Sequence, residues 1–163
     1  MWIIGVPKLV LIPKSDLISS PSRRNGALGG ASKNRKVTIM VNLVLLYLGA
    51  AFTVIWGVSH LFPTRSVVKG FGTISVDNQR IITMEWIVEA VSLIFIGALV
   101  AMVTIIDPTN SVSKAVYLLS AIGLFVLALV SLFTGFKIKF LPFRLCPLIF
   151  TVSAILIIVG GLL

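Results

Sequence analysis

Two carboxylates in an apolar helix are the first residues of this chain whose types and spacing can do chemistry. Glu85 and Glu89 lie in the run DNQRIITMEWIVEA, residues 77–90; the other acidic residues, Asp16, Asp77 and Asp107, fall outside the long apolar segments. An ionisable group inside a membrane-embedded helix is costly to keep and is by default a functional-site residue. At helical spacing Asn78, Glu85, Glu89 and Ser92 share one side, while the preceding apolar run carries Asn42, Gly49, Thr53, Trp56 and His60 on one stripe. Small and polar stripes in lipid-embedded helices face protein. If the two helices are antiparallel and turn these stripes together, His60, Trp56, Asn78, Glu85 and Glu89 surround one pocket. Arg80 then lies near one end and Thr53 near the level of Glu89. Such a group can bond across helices and fix register, pass protons or cations, or form an oligomer contact. Glu85, Glu89 and His60 also have the chemistry of divalent-metal ligands. Spacings such as Glu-x-x-His and His-x-x-x-His are absent, however, and the sequence reads as holding no metal and no cofactor.

The elements that must position these residues are membrane spans. The chain has 163 residues, is 58% hydrophobic and has a mean hydropathy of +1.11, well above the roughly 45–50% apolar content of soluble domains. Four apolar runs, at about 40–62, 80–106, 114–136 and 145–163, are long enough to cross a hydrocarbon core of roughly 30 Å. Short connections between them predict an all-α, up-down-up-down four-helix bundle embedded in the membrane over residues 40–163. Pro63 and Asp107-Pro108 stop the first two spans, and Pro142 breaks the basic segment before the last. Between the first two spans, residues 63–79 predict a turn or re-entrant bend, since GFG alone is too short for a phosphate loop. Ser75, Asp77 and Asn78 are candidate caps for the helix that follows. On the third span Tyr117, Ser120, Ala128 and Ser131 make another small and polar side.

Residues 1–39 are a different material. Pro7, Pro13 and Pro21 punctuate a stretch rich in Lys, Arg, Ser, Asn and Gly, which predicts a disordered basic tail. Pro7 and Lys8 interrupt its apolar run before a signal-peptide core is complete. Met40 directly precedes the first span, so a native start there is the alternative to a genuine tail. The formal charge of +9 does not indicate nucleic acid. Lys8, Lys14, Arg23, Arg24, Lys33, Arg35 and Lys36 crowd the tail, the rest sit in short loops, and no basic face interleaves with aromatics. Loop charge instead orients spans: Arg65, Lys69, Arg80, Lys137, Lys139 and Arg144 lie on one side, Lys114 on the other. From a start at Met40 the six-residue side is cytoplasmic, whereas the tail's own charges compete with that orientation. The single cysteine, Cys146, excludes an intramolecular disulfide and reads as a small buried apolar residue.

The run HLFPTRSVVKGFGTISVDNQRIITMEWIVEAVSLIFIGALV, residues 60–100, resembles the core of small four-span prokaryotic membrane proteins of uncharacterised function. Over the first two spans it is loosely similar to DoxX-like membrane proteins. That resemblance implies a four-helix fold in a bacterial or archaeal plasma membrane and carries no activity with it. The membrane-associated eicosanoid and glutathione metabolism family is also short, basic and four-spanning. Asn78, Arg80 and Glu85 supply its residue types, but no Asn-x-x-Glu occurs here. The expectation is an accessory or ligand-binding membrane protein, partnered by the bilayer and by a second copy or a partner subunit, with its polar pocket between the first two spans. A proton- or cation-coupled transporter or channel subunit acting as an oligomer is the alternative. A membrane enzyme on a lipophilic substrate, with Glu85 and His60 or Arg80 as acid and base, is a further one.

Overall fold

The computed structural model describes residues 22–135 and 141–162, with side chains described over 32–135 and 143–162. The tail expected at 1–39 therefore lies outside the described residues up to position 21, as do Lys137 and Lys139. Five helices follow in order: α1 Ser22–Leu61, α2 Thr64–Gly70, α3 Val76–Ile106, α4 Ser111–Thr134 and α5 Leu141–Leu162. Four of them contain stretches long and apolar enough to cross a membrane: Ser32–Leu61, Val76–Ile106, Ser111–Thr134 and Phe143–Leu162. The fold is an all-α four-helix bundle of the multi-pass membrane class.

The helix ends differ from the expected spans for local reasons. α1 starts at Ser22, directly after Pro21, instead of at Met40. No proline interrupts residues 22–61, and the helix runs on through Gly26, Gly29 and Gly30 despite their poor helix propensity. The stretch expected as a bend contains the seven-residue α2, followed by a turn in which Gly72 takes φ 73°, a left-handed value that favours glycine. Ser75 caps α3, its hydroxyl accepting from the Asn78 N–H at 3.2 Å, so α3 begins at Val76 and not at Arg80. Asn110 caps α4 in the same way through the Val112 N–H at 2.9 Å. Asp107 takes the extended backbone (φ −164°, ψ 102°) that a residue before proline prefers, and α3 ends there. Pro142 does not break α5 but sits in its first turn, where its missing N–H costs nothing. Pro147 is inside α5 and cannot donate to the Phe143 carbonyl.

The domain divides into two units, Met1–Lys36 and Val37–Leu163, and all packing described below belongs to the second. α3 and α5 each lie against α1, and α4 lies against α3 and α5. Lipid tails are as apolar as the helix faces, so association depends on close packing and hydrogen bonds rather than on hydrophobic burial. Glycine provides the close approach between α1 and α3. A Cβ on Gly57 would lie 2.8 Å from the Ala90 carbonyl oxygen, and one on Gly97 would lie 2.7 Å from that of Ala50. Leu46, Leu93, Tyr117, Leu124, Phe150 and Ile157 fill the centre. Away from the candidate site, the Tyr117 hydroxyl meets Thr104 Oγ1 at 3.0 Å and ties α4 to α3.

Candidate functional site

His60, Glu89, Trp56, Trp86 and Cys146 meet at the bundle end formed by the close of α1, the early turns of α3 and the start of α5. His60 is in the last turn of α1 and only 4% exposed. Its Nδ1 lies 2.8 Å from the Trp56 carbonyl oxygen, which can only accept, so Nδ1 carries the hydrogen. In the neutral ring Nε2 therefore presents a lone pair. Two groups face it: the Cys146 sulfur at 3.8 Å and Glu89 Oε1 at 3.9 Å. The thiol is a weak donor suited to that lone pair. The carboxylate is too far for a direct N–H···O bond and is complementary to the ring only when the pair holds one proton or accepts another cation.

Aromatic rings brace this centre from three helices. Trp86 donates its indole N–H to the His60 carbonyl oxygen at 2.5 Å, crossing from α3 to α1. Trp56 meets the imidazole edge-on at 5.4 Å, Trp86 tilts over it at 5.0 Å, and Phe143 meets Trp86 at 5.2 Å. The residue just beyond Glu89, Ala90, is where Gly57 lets α1 approach α3. The glycine contact therefore sets the distance between His60 and Glu89.

Two clefts flank the Trp86–Phe143 pair. The larger, about 430 Å³, is lined by Val67, Phe71, Ile81, Ile82, Glu85, Trp86, Val88, Glu89, Ser92, Leu127 and Phe143. The smaller, about 320 Å³, reaches His60, Cys146, Ser131 and Thr134. Trp86, Glu89, Leu127 and Phe143 belong to both. Among the described residues, the formal charges lining these clefts are carboxylates. At 1.5 Å per residue α3 is about 46 Å long against a hydrocarbon core of roughly 30 Å. With Ile106 at the far face, the ten residues up to Glu85 stand outside the hydrocarbon and Glu89 lies about 4–5 Å within it.

Of the seven residues expected to share a pocket, the structure gathers His60, Trp56 and Glu89, with Glu85 beside Glu89 on the larger cleft. Thr53 is buried elsewhere along α1, its hydroxyl donating to the Gly49 carbonyl at 2.8 Å. Asn78 is exposed at the start of α3. Arg80 is 78% exposed and 3.8 Å from Asp77. Glu85 is exposed and lines the outer cleft, one turn from Glu89. The cause is register. Gly57, not Thr53, stands at the level of Ala90, because α2 and the Gly72 turn let α3 run well past the end of α1. Among the described residues no group of three or more His, Cys, Asp and Glu is arranged to hold a metal ion.

Four contributors lay outside the expected pocket: Trp86, Phe143, Leu127 and Cys146. Trp86 reads equally well as an interfacial belt residue. Phe143 and Cys146 sit one turn apart at the start of α5, a spacing that marks a shared face but not its partner.

Fold and site together define a four-helix membrane protein with a carboxylate- and aromatic-lined cleft at one end of the bundle. Comparisons of the chain with protein-family models, curated proteins and solved structures return no match.

Proposed function

We propose that this is a non-catalytic plasma-membrane protein that binds a small amphipathic ligand in the paired clefts, its basic loops facing the cytoplasm. The observation that carries the reading is the pair of adjoining clefts, which share Glu89 and Trp86; with Ile106 at the far face of a roughly 30 Å core they lie near the boundary. A ligand there can leave its polar part at the boundary and place its apolar part against Leu127, Val88 and Phe143. Cys146 is only 4% exposed, short of the accessible surroundings of a reactive thiol, which favours binding over catalysis. The His60–Glu89 pair favours one second reading: a subunit of an oligomeric, cation-coupled transporter.

The test is Glu89→Gln, measured by thermal unfolding of the purified protein with cationic, anionic and neutral amphiphiles. Ligand at about 100 times its Kd stabilises a protein by about 2.7 kcal/mol. The wild type should therefore gain several degrees with one of the three classes. Glu89→Gln should keep the ligand-free midpoint and lose that gain. The proposal fails if no class raises the wild-type midpoint, or if the variant keeps the full rise.

A further inference from the structure

We infer that the occupant of the paired clefts is a lipophilic organic cation; this rests on the cleft being a binding site and assigns its ligand class. The first observation is charge. In a chain of formal charge +9 with five acidic residues, the two glutamates line the same cleft, and no Lys or Arg is among the described residues that line it. Glu85 and Glu89 are four residues apart on α3, where like charges repel across one turn. Their combined field is relieved by a cation between them and the opposite wall.

The second observation is the wall itself. Phe71, Trp86 and Phe143 line the larger cleft, and aromatic faces attract cations, tryptophan most strongly. Among the described residues the smaller cleft adds no cation of its own: His60, only 4% exposed, keeps Nδ1 on the Trp56 carbonyl and turns Nε2 toward Cys146 and Glu89. The remaining lining, Val67, Ile81, Ile82, Val88 and Leu127, suits bulky apolar substituents. Among the described residues that line the clefts, an anionic headgroup would meet two carboxylates and no Lys or Arg.

Three probes of similar aryl bulk separate charge from shape: tetraphenylphosphonium, tetraphenylborate and neutral triphenylphosphine oxide. Each is titrated calorimetrically into the full chain in a neutral detergent, with empty micelles subtracted. The phosphonium should bind saturably and in preference to the other two. The double variant Glu85→Gln/Glu89→Gln should weaken it at least about tenfold, the loss of two partly screened charges. Glu85→Gln alone, at an exposed side chain, gives the same direction with a smaller change should the double variant unfold. Leu127→Trp, which fills the wall common to both clefts, should abolish binding. If the borate or the oxide binds as well as the phosphonium and Leu127→Trp removes that binding, the cation assignment is overturned and the cleft stands as a site. If no probe binds saturably, or binding ignores Leu127→Trp, both readings fall.

Discussion

Adding one methyl group at Gly57 should both destabilise the bundle and loosen the candidate site. An alanine Cβ there would stand 2.8 Å from the Ala90 carbonyl oxygen and 3.0 Å from the Ile94 nitrogen, both backbone atoms of α3 that cannot rotate aside. Ordinary contact requires α1 and α3 to part by about 0.6 Å, and overpacking of this kind costs about 1–3 kcal/mol. Alanine is the better helix former by about 1 kcal/mol, which offsets part of the loss. The net cost is up to about 2 kcal/mol, a fall in unfolding midpoint of up to about 8 °C for a chain of this size. The same substitution at Gly123, in mid-α4 with nothing within 4 Å of the added Cβ, keeps the propensity gain alone and should raise the midpoint. Circular dichroism in a neutral detergent measures both. Because Ala90 adjoins Glu89 and Trp86 is one turn earlier, Gly57→Ala should also stretch the Trp86–His60 bond and red-shift tryptophan emission. An unchanged or raised midpoint for Gly57→Ala, with Gly123→Ala behaving alike, would refute the claim that glycine sets the α1–α3 distance.

Two further outcomes follow from individual polar groups. Ser153 is fully buried in α5 and its hydroxyl has no hydrogen-bond partner among the described residues; Ser153→Ala removes an unsatisfied group and should stabilise by about 1 kcal/mol, so a lower thermal midpoint would contradict this. The Asp107 carboxylate, outside the membrane-spanning segments, accepts from the Thr109 hydroxyl at 2.8 Å and its N–H at 2.9 Å, which hold it below its ordinary value of 3.8. A depressed folded-state value contributes stability that is present above the unfolded pKa and lost as pH falls through the folded one. Thr109→Val should therefore move the Asp107 titration upward by NMR, and an unmoved titration would show that the hydroxyl is not the cause.

Span number and fold class follow from composition because a hydrocarbon core demands continuous apolar helices, and Pro63, Asp107-Pro108 and Ser75 mark their ends through backbone chemistry that operates within a few residues. Helix pairing is harder to read. The stripe through Asn42, Gly49, Thr53, Trp56 and His60 is correct as a face, yet its register against α3 depends on the number of residues consumed by α2 and the Gly72 turn. A shift of about one helical turn replaced Thr53 with Gly57 opposite Ala90 and left Asn78 and Arg80 beyond the pocket. Cys146 illustrates the other difficulty. As a small residue in an apolar run it has no local signal of polarity, and only the meeting of α5 with α1 places its sulfur beside His60 Nε2. Glu89 was identifiable because an acidic residue at that depth contradicts its surroundings whatever packs against it.

The side-by-side unfolding midpoints of wild type and Glu89→Gln, each with and without a saturating amphiphile, test the central claim most directly. Glu89 is 33% exposed at the cleft and meets His60 only at 3.9 Å, so replacing its charge should change the ligand-free midpoint little and cancel the ligand-induced rise. A large fall in the ligand-free midpoint, together with a wild type that no amphiphile stabilises, would show instead that Glu89 serves the packing of α3 against α1 and that the clefts bind nothing.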